Sequence, residues 1–307
     1  MSDRTVPYPP AAPVTPRTWQ RWLLASRPKT LPAAIAPVIV GTGVAINAGG
    51  FHALSALLAL LTALLLQIAA NFANDALDFS RGTDTSERLG PVRVTSAGLI
   101  SHRAMMTATA LTLGLSLVTG FYLVVRGGWP ILILGLAAVV CSVAYTGGPF
   151  PLGYLGLGEI FVFIFFGPVA VTGTAWVQMR ELTSQSLAFA VPIGALAVGI
   201  LIVNNLRDLP TDAVTGKRTV AVRIGARRTR FEYAAMLLIA LLSPIVFWLA
   251  GWLTWWWLLT LVSWPLAWRL WRQIQKNQGR AFNGTLAATA KFQFVYSVLL
   301  AVALVLS

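Results

Sequence analysis

The sequence predicts an all-α polytopic membrane protein with about nine transmembrane helices around a central cavity. Of its 307 residues, 57% are hydrophobic and 11% are charged, whereas soluble domains carry about 25% charged residues. The mean hydropathy is +0.73. Apolar runs of about 20 residues, the length that crosses a bilayer as a helix, recur along the chain. One soluble core could not bury all of these runs, so the chain is predicted to lie in a membrane.

The predicted spans follow one another from residue 30 to near the C-terminus. They cover residues 30–49, 53–77, 104–125, 129–146, 157–178, 186–206, 231–250, 252–270 and 285–306. Residues 1–29 are rich in proline and basic residues, and residues 1–20 are predicted to form a flexible N-terminal tail. The first apolar run is long and lacks a small-residue cleavage site, so no cleavable signal peptide is expected. Residues 21–307 are predicted to form a single transmembrane domain.

The basic residues are distributed unevenly about these spans. The net charge of +13 could by itself suggest a nucleic-acid partner. However, 20 of the 23 Lys and Arg residues lie in the tail or in and beside the loops that follow the second, fourth, sixth and eighth spans. The loops on the other side carry Arg126 and Arg180. The positive-inside rule then places the N-terminus in the cytoplasm, and no nucleic-acid partner is expected.

Two long hydrophilic loops, predicted at residues 78–103 and 207–230, are both cytoplasmic by this rule. The stretch NFANDALD leads into the first loop and VNNLRDLPTD into the second. Each stretch contains an Asn with an Asp four residues later, and a basic segment follows in both. The two stretches lie about 130 residues apart. This weak internal duplication predicts two similar four-helix halves that face one shared cavity, plus a ninth helix.

The two stretches concentrate oxygen-bearing side chains on helix faces, because residues three and four apart are neighbours on a helix. In the first motif these side chains are Asn71, Asn74, Asp75 and Asp78. The second motif repeats the spacing of four with Asn204 and Asp208, and Asp212 follows four residues later. Pro210 leaves open whether Asp212 lies on the helix or on a bend, because proline removes a backbone donor and disfavours helix before it.

Clustered carboxylates repel one another unless a cation lies between them. Mg2+ prefers oxygen ligands and typically binds one or two carboxylates together with substrate phosphates and water. His52 and His102 lie on opposite sides of the membrane, so no zinc or copper set is expected. Basic residues beside the clusters suit a diphosphate, which Arg binds through paired hydrogen bonds, although topology alone also favours such residues there. They are Arg81, Arg88, Arg93, Lys217, Arg218 and Arg223.

A third stretch, YTGGPFPLGYLGLGE at residues 145–159, is an uncharged turn that ends in Glu159 at the start of the fifth span. The helix dipole favours a carboxylate there, and an ionisable residue within the membrane indicates a functional site. The glycine and proline residues indicate only a turn. Tyr145, Tyr154 and Glu159 are therefore candidates of lower rank for binding an acceptor substrate, together with Asp84 in the first loop.

Four blocks of the sequence resemble the UbiA superfamily of membrane prenyltransferases and occur in the family's order. They are ASRPKTLPAAIAPVIVGT, NDALDFSRGTDTSERLGPVRVTSAGLIS, YTGGPFPLGYLGLGE and NNLRDLPTDAVTGKRTVAVRIG. The resemblance runs from about residue 22 through the ninth span. Its loop segments are most similar to the branch of the family that prenylates 1,4-dihydroxy-2-naphthoate in menaquinone synthesis.

The resemblance implies an activity and a site. It implies Mg2+-dependent transfer of a polyprenyl group from polyprenyl diphosphate to 1,4-dihydroxy-2-naphthoate, with loss of the ring carboxylate, in the inner (plasma) membrane of a bacterium. Two Mg2+ ions held by the acidic motifs would bridge the diphosphate. The implied metal ligands are Asn74, Asp75, Asp78, Asp208 and Asp212, and these four aspartates are the implied catalytic residues. The implied diphosphate-binding residues are Asn71, Arg81, Arg88, Arg93, Asn204, Lys217 and Arg218.

Other functions remain open from the sequence. The same fold could act on hydroxybenzoate, homogentisate, haem or a sugar phosphate, or could use a phytyl donor. A transporter is the alternative outside the enzymes, but it predicts ionisable residues near mid-membrane, where this chain has Lys291. The expected partners are the two substrates and the lipid bilayer, with the active site on the cytoplasmic side. The prenyl chain length and the oligomeric state are not predicted.

Overall fold

The structure is a computed structural model that describes residues 16–82 and 89–307. In these two ranges the chain forms eleven α-helices and no β-strand. The helices are α1 (Thr18–Ser26), α2 (Leu31–Asn47), α3 (Ala53–Ser80), α4 (His102–Gly127), α5 (Trp129–Ala144), α6 (Gly158–Ile164), α7 (Gly173–Met179), α8 (Ser184–Val214), α9 (Val220–Leu249), α10 (Trp264–Lys276) and α11 (Phe282–Leu306). A π-helix joins α6 to α7, and 3-10 helices cover Pro28–Thr30, Trp255–Ser263 and Gly279–Ala281.

Seven stretches of the described chain are long and apolar enough to cross a membrane. They are Thr18–Asn47, Ala53–Ser80, His102–Gly127, Gly158–Met179, Ser184–Val214, Val220–Leu249 and Gly279–Leu306. The remaining two predicted spans fall on α5, which has sixteen residues, and on the 3-10 helix that leads into α10. The all-helical membrane fold is therefore confirmed, and the number of nine spans stays a prediction. Helix α1 begins at Thr18 and so includes the last three residues of the predicted tail, and residues 1–15 lie outside the described range.

Three of the long helices begin at a hydroxyl side chain that accepts a backbone N–H three residues later. Ser101 caps α4, Thr183 caps α8 and Thr219 caps α9. Such a side chain binds one of the four N–H groups that a helix start leaves without an intrahelical acceptor. The sequence therefore fixes where these helices start, which in turn sets the position of the polar residues at their ends.

Helix α8 is the central helix of the molecule, because most of its residues are buried and it packs against α2, α6, the π-helix, α9 and α11. Small residues permit this close packing. A side chain at Gly194 would approach the carbonyl oxygen of Phe163 to 2.9 Å. Helix α3 packs mainly against α4, and α5 contacts both of them, whereas α6 and the π-helix contact α8. Helix α2 contacts α3, α7, α8 and α11. The division into two four-helix halves plus a ninth helix stays a prediction.

The structure places the ends of the two hydrophilic loops at other residues than the sequence predicts. Helix α8 runs through Pro210 and Asp212 to Val214, and α9 begins at Val220. The loop predicted at 207–230 is therefore mostly helical, and Asp212 lies on the helix rather than on a bend. Pro210 itself is exposed, whereas Arg207, Asp208 and Asp212 around it are buried, so contacts of its neighbours hold this end of α8. In the first loop, α3 continues to Ser80, and residues 83–88 lie outside the described range.

A cavity of about 710 Å³ lies among α2 to α7. Its wall is apolar for most of its length and becomes polar at Asn74 and Tyr145. Along α3 the lining extends from Ala59 to Asn74, which corresponds to roughly 22 Å at about 1.5 Å per residue. The sequence predicts a cavity shared by both halves. The lining residues on helices come from α2 to α5, which correspond to the first four predicted spans, and from α6, the π-helix and α7, which together correspond to the fifth. Among the described residues, α8 to α11 contribute none to the lining.

Candidate active site

The two acidic motifs meet at the ends of α3 and α8. Lys217, in the turn after α8, joins them, because its Nζ atom lies 3.8 Å from Asp78 Oδ1 and 3.8 Å from Asp212 Oδ1. Both carboxylates are buried. One ammonium group therefore interacts with a carboxylate from each half of the protein.

Asp78 has further partners besides Lys217. Nη2 of Arg93 donates a hydrogen bond to its Oδ2, and the two side chains form a buried ion pair. The hydroxyl of Tyr154 donates to Oδ1 at 2.8 Å, the same oxygen that faces Lys217. Hydrogen bonds to an ionised carboxylate are stronger than those between neutral groups. They fix Arg93 and Tyr154 relative to the end of α3.

Tyr154 lies between two cationic side chains. Cζ of Arg81 is 5.1 Å and Nζ of Lys217 is 4.6 Å from the centre of its ring, distances that give a cation–π attraction. Arg81 also donates to the carbonyl oxygen of Gly148 at 2.5 Å, and the backbone N–H of Arg218 donates to the carbonyl of Tyr154 at 2.8 Å. The turn between α5 and α6 thus connects the two acidic motifs.

Tyr145 and Glu159 approach this site at the two ends of the same turn. Tyr145 lines the cavity directly after the last residue of α5. A phenol hydroxyl can both donate and accept a hydrogen bond, so Tyr145 can bind a polar group at this end of the cavity. Glu159 is buried and accepts a hydrogen bond from Asn205 at 3.4 Å.

Asn74 connects the polar site with the apolar cavity. Its side chain lines the cavity, and its amide oxygen accepts a hydrogen bond from the hydroxyl of Thr146. Asn71 lines the cavity one turn earlier, but its amide nitrogen donates to the carbonyl of Ser26 at 2.9 Å and to the hydroxyl of Thr30 at 3.3 Å. Asn71 therefore ties α3 to the start of α2, whereas Asn74 lies beside the candidate site.

Asp208 is paired within its own helix. Nε and Nη2 of Arg207 donate to its two carboxylate oxygens at 2.8 and 2.6 Å. Arg207 is 2% exposed and also donates to the amide oxygens of Asn204 at 2.8 Å and Asn283 at 3.0 Å. The amide nitrogen of Asn283 donates to the carbonyl of Leu89 at 2.9 Å. The second motif is thus connected, through Asn283, to Leu89 in the first loop.

The other predicted site residues lie apart from this cluster. Asp75 accepts hydrogen bonds from backbone N–H groups of residues 94 and 95. The side chain of Arg218 is exposed. The guanidinium of Arg223 donates to the carbonyls of Arg218 at 3.1 Å and Leu155 at 2.6 Å, so it braces the turn. Asp84 and Arg88 lie outside the described residues.

The sequence profile of the UbiA prenyltransferase family matches residues 34–305. The chain belongs to this family. Two curated relatives are each called 1,4-dihydroxy-2-naphthoate octaprenyltransferase. The one from Mycobacterium tuberculosis is 42% identical over 265 residues, which cover 85% of this chain and 88% of the relative. The one from Mycobacterium leprae is 38% identical over 291 residues, which cover 94% and 98%.

A solved UbiA structure has the same fold. It is a homologue from Archaeoglobus fulgidus bound to GPP and Mg2+, with a TM-score of 0.58 and 16% identity over 91% of this chain and 99% of the homologue. At this identity the similarity establishes the fold. The family, the helical membrane fold and the prenyltransferase class predicted from the sequence are therefore confirmed.

The oxygen donors of this UbiA family member fit a hard divalent cation. Asp78 and Asp212 present carboxylate oxygens to one ammonium group, and Asn74 presents an amide oxygen one turn before Asp78. Within the described residues, no three Asp, Glu, His or Cys side chains come together to hold an ion by themselves. This agrees with Mg2+, which binds one or two carboxylates and completes its shell with phosphate oxygens and water.

Sequence reasoning missed three residues of this UbiA site: Arg207, Thr146 and Asn283. Arg207 lies directly before Asp208 in NNLRD, and an arginine at the end of an apolar helix indicates a buried partner. That signal was present. Thr146 and Asn283 carry no comparable signal, because the fold alone brings them to the side chains that they contact.

Proposed function

We propose that this protein transfers a polyprenyl group from polyprenyl diphosphate to 1,4-dihydroxy-2-naphthoate, with decarboxylation, to give demethylmenaquinol. The reaction uses Mg2+ and takes place on the cytoplasmic side of a bacterial plasma membrane, with the N-terminus in the cytoplasm. One observation carries the proposal: an apolar cavity ends at a cluster of acidic and basic side chains drawn from both motifs. The names of the curated relatives support the naphthoate acceptor and the prenyl donor.

The apolar cavity accounts for the prenyl chain of the donor. Phe121, Leu132 and Leu136 line it and are also exposed on the outer surface of α4 and α5. The cavity therefore meets the lipid between these two helices. The chain can bind with its first isoprene units in the cavity and its tail in the bilayer, because both surroundings are apolar and transfer between them changes its free energy little.

The basic side chains at the polar end account for the diphosphate. Lys217, Arg93 and Arg81 surround the end of α3, and guanidinium groups bind phosphate oxygens through paired hydrogen bonds. Asp78 and Asp212, with Asn74, would hold Mg2+ against the diphosphate. When bound, Mg2+ stabilises the negative charge that grows on the diphosphate oxygens as the C–O bond breaks.

The acceptor completes the reaction beside Tyr145. The allylic C–O bond breaks, and its electron pair leaves with the diphosphate. The ring carbon that carries the carboxylate attacks the allylic cation and forms the new C–C bond, and loss of CO2 returns an electron pair to the ring. The hydroxyl of Tyr145, which lines the cavity, can donate a hydrogen bond to a ring oxygen. The apolar wall excludes water that would otherwise capture the cation.

An acceptor panel tests the proposal. Membranes that contain the protein are incubated with octaprenyl diphosphate, Mg2+ and, in turn, 1,4-dihydroxy-2-naphthoate, 4-hydroxybenzoate or homogentisate, and the products are identified by mass spectrometry. We expect prenylated product from the naphthoate alone, with release of CO2 from its labelled carboxylate and loss of activity in EDTA. Product from hydroxybenzoate alone would reject the proposed acceptor. Membranes with the Asp78→Ala variant are the control.

A further inference from the structure

Asp75 directs its carboxylate away from the cavity and towards a turn of the first loop. Its Oδ2 accepts the backbone N–H of Val94 at 3.1 Å, and its Oδ1 accepts that of Thr95 at 2.9 Å. The side chain is 2% exposed. Asn74, the preceding residue, lines the cavity, whereas Asp75 lies on the adjacent face of α3. Both oxygens of Asp75 therefore bind the main chain.

The segment that Asp75 contacts is a single helical turn. The N–H of Ala97 donates to the carbonyl of Arg93 at 2.9 Å, and the N–H of Leu99 donates to that of Val94 at 2.9 Å. Gly98 closes the turn with a φ of +69°. The first N–H groups of such a turn have no acceptor within it. Asp75 supplies that acceptor from another helix, and its negative charge suits the positive end of the peptide dipoles.

The turn carries Arg93 at its first position. Arg93 forms the buried ion pair with Asp78, one helical turn after Asp75 on α3. Helix α3 thus makes two kinds of contact with this turn. Asp75 binds backbone N–H groups of the turn, and Asp78 binds the guanidinium of Arg93. Val94 is fully buried with Phe72 and Met105, so the turn is packed as well as hydrogen-bonded.

We propose that Asp75 is a positioning residue that caps the turn at residues 93–98 and thereby holds the Arg93 guanidinium against Asp78. The sequence resemblance implies a direct metal ligand at this position instead. The inference rests on the proposed function, because Arg93 is argued to bind the diphosphate of the donor. It assigns a different role to each aspartate of the first motif: Asp78 faces the reacting groups, and Asp75 orders the segment that supplies a cation to them.

Hydrogen exchange measures the cap directly and needs no substrate. The full-length protein is purified in lipid nanodiscs, and exchange of the backbone amides in residues 93–99 is followed by mass spectrometry. We expect exchange in Asp75→Ala to accelerate about tenfold, since hydrogen bonds to a charged acceptor are lost. Asp75→Asn keeps one acceptor oxygen and should give an intermediate rate. Asp212→Asn, a matched change of a buried carboxylate in the other motif, should leave these amides unchanged.

Kinetics then separates positioning from a role in packing alone. Asp75→Ala and Arg93→Met should each raise KM for the prenyl diphosphate roughly tenfold, as expected for one lost charged hydrogen bond, and the double variant should be no worse than Arg93→Met. The Mg2+ concentration for half-maximal activity should change in Asp212→Asn and stay the same in Asp75→Asn.

The outcomes distinguish the two roles and keep the proposed function separate. Wild-type exchange in Asp75→Asn and Asp75→Ala, combined with a weakened response to Mg2+ that matches Asp212→Asn, would overturn the inference and identify Asp75 as a metal ligand. Additive effects of Asp75→Ala and Arg93→Met on KM would also overturn it. If the wild-type protein shows no prenyl transfer, the proposed function fails, but the exchange experiment still decides whether Asp75 caps the turn.

Discussion

The two acidic motifs have similar sequences but different structural support. In the first motif, Asp75 and Asp78 bind the turn that carries Arg93, which lies 15 residues beyond Asp78 in the chain. In the second motif, Asp208 binds Arg207, its neighbour in sequence. The first motif thus depends on a loop that folds back onto α3, and the second depends mainly on its own helix.

The difference follows from where each helix lies. Helix α8 is buried among its neighbours, and Arg207 donates hydrogen bonds to Asn204 on its own helix and to Asn283 at the start of α11. Helix α3 faces the cavity along one side, so its cation has to come from outside the helix. The repeated pattern of Asn and Asp therefore specifies that each motif carries carboxylates. The position of the helix in the fold determines which cationic side chain pairs with them.

The largest effect is expected from Asp78→Ala, which removes the carboxylate that contacts Arg93, Tyr154 and Lys217. Prenyl transfer in membranes should fall about a thousandfold, because the variant loses a proposed Mg2+ ligand and with it stabilisation of the charge that develops on the diphosphate. Hydrogen exchange in the turn at residues 93–98 should rise as well. Asp208→Ala should leave the exchange of that turn unchanged, and a rise there would break the comparison. Glu181→Ala, an exposed acid on the predicted opposite side, is the activity control.

The second prediction compares how replacing Arg207 or Arg93 changes the free energy of unfolding. Arg207→Met should lower the free energy of unfolding by about 3 kcal/mol, because Asp208 then stays buried beside an apolar side chain. Arg93→Met should lower it by only about 1 kcal/mol, since Tyr154 still donates to Asp78. Unfolding in detergent, followed by tryptophan fluorescence, measures both. Equal losses would show that the two motifs are supported in the same way.

The third prediction concerns Lys217, which joins the two motifs. Lys217→Met should raise KM for the prenyl diphosphate about tenfold, because the variant loses about one charged contact to the diphosphate. The effect should be smaller than that of Asp78→Ala, because Lys217 is partly exposed and lies 3.8 Å from each carboxylate. Initial rates at varied donor concentration provide the test. Lys276→Met, an exposed lysine at the end of α10, is the matched control, and an equal effect there would contradict the bridging role.

The smallest effect is expected in the cavity wall. Gly120 lines the cavity, and a Cβ atom there would meet Thr62 Cγ2 at 3.8 Å. The indole of Gly120→Trp should occupy part of the cavity and lower activity with octaprenyl diphosphate by roughly threefold relative to geranyl diphosphate, because the longer chain loses apolar contact. A Cβ atom at Gly284 would have no neighbour within 4 Å, and Gly284→Trp, in the second half, should leave the ratio unchanged. Equal ratios in both variants would show that the cavity is not the chain site.

Much of this architecture could be predicted from the sequence. Apolar runs fixed the helices, because lipid requires every backbone group to bond within its own span. Two patterns identified the residues that meet at the site. One is the uneven distribution of Lys and Arg, and the other is the spacing of four residues from Asn74 to Asp78 and from Asp208 to Asp212. Lys217 was also predicted, since a basic loop beside each acidic motif suggests a phosphorylated substrate.

The contacts that hold the site residues in place could not be predicted in the same way. Whether a carboxylate faces a cavity or a turn depends on rotation about the helix axis, and adjacent residues such as Asn74 and Asp75 differ in this respect by a single position. The end of α8 was also misjudged, because Pro210 breaks isolated helices but contacts of its neighbours hold the helix here. Both outcomes depend on packing between distant parts of the chain.

Helix α5 has a consequence for the surrounding bilayer. None of its sixteen residues, all of them described, is buried, and at about 1.5 Å per residue it is roughly 24 Å long, shorter than the hydrocarbon layer of about 30 Å. If α5 spans the bilayer, as the sequence predicts, a helix of this length would be accommodated by local thinning of the bilayer or by its flanking residues. Thinning would draw the head-group layer inward beside the cavity. Under the proposed function, a donor that diffuses in the membrane would then carry its diphosphate to the acidic motifs without leaving the membrane interface.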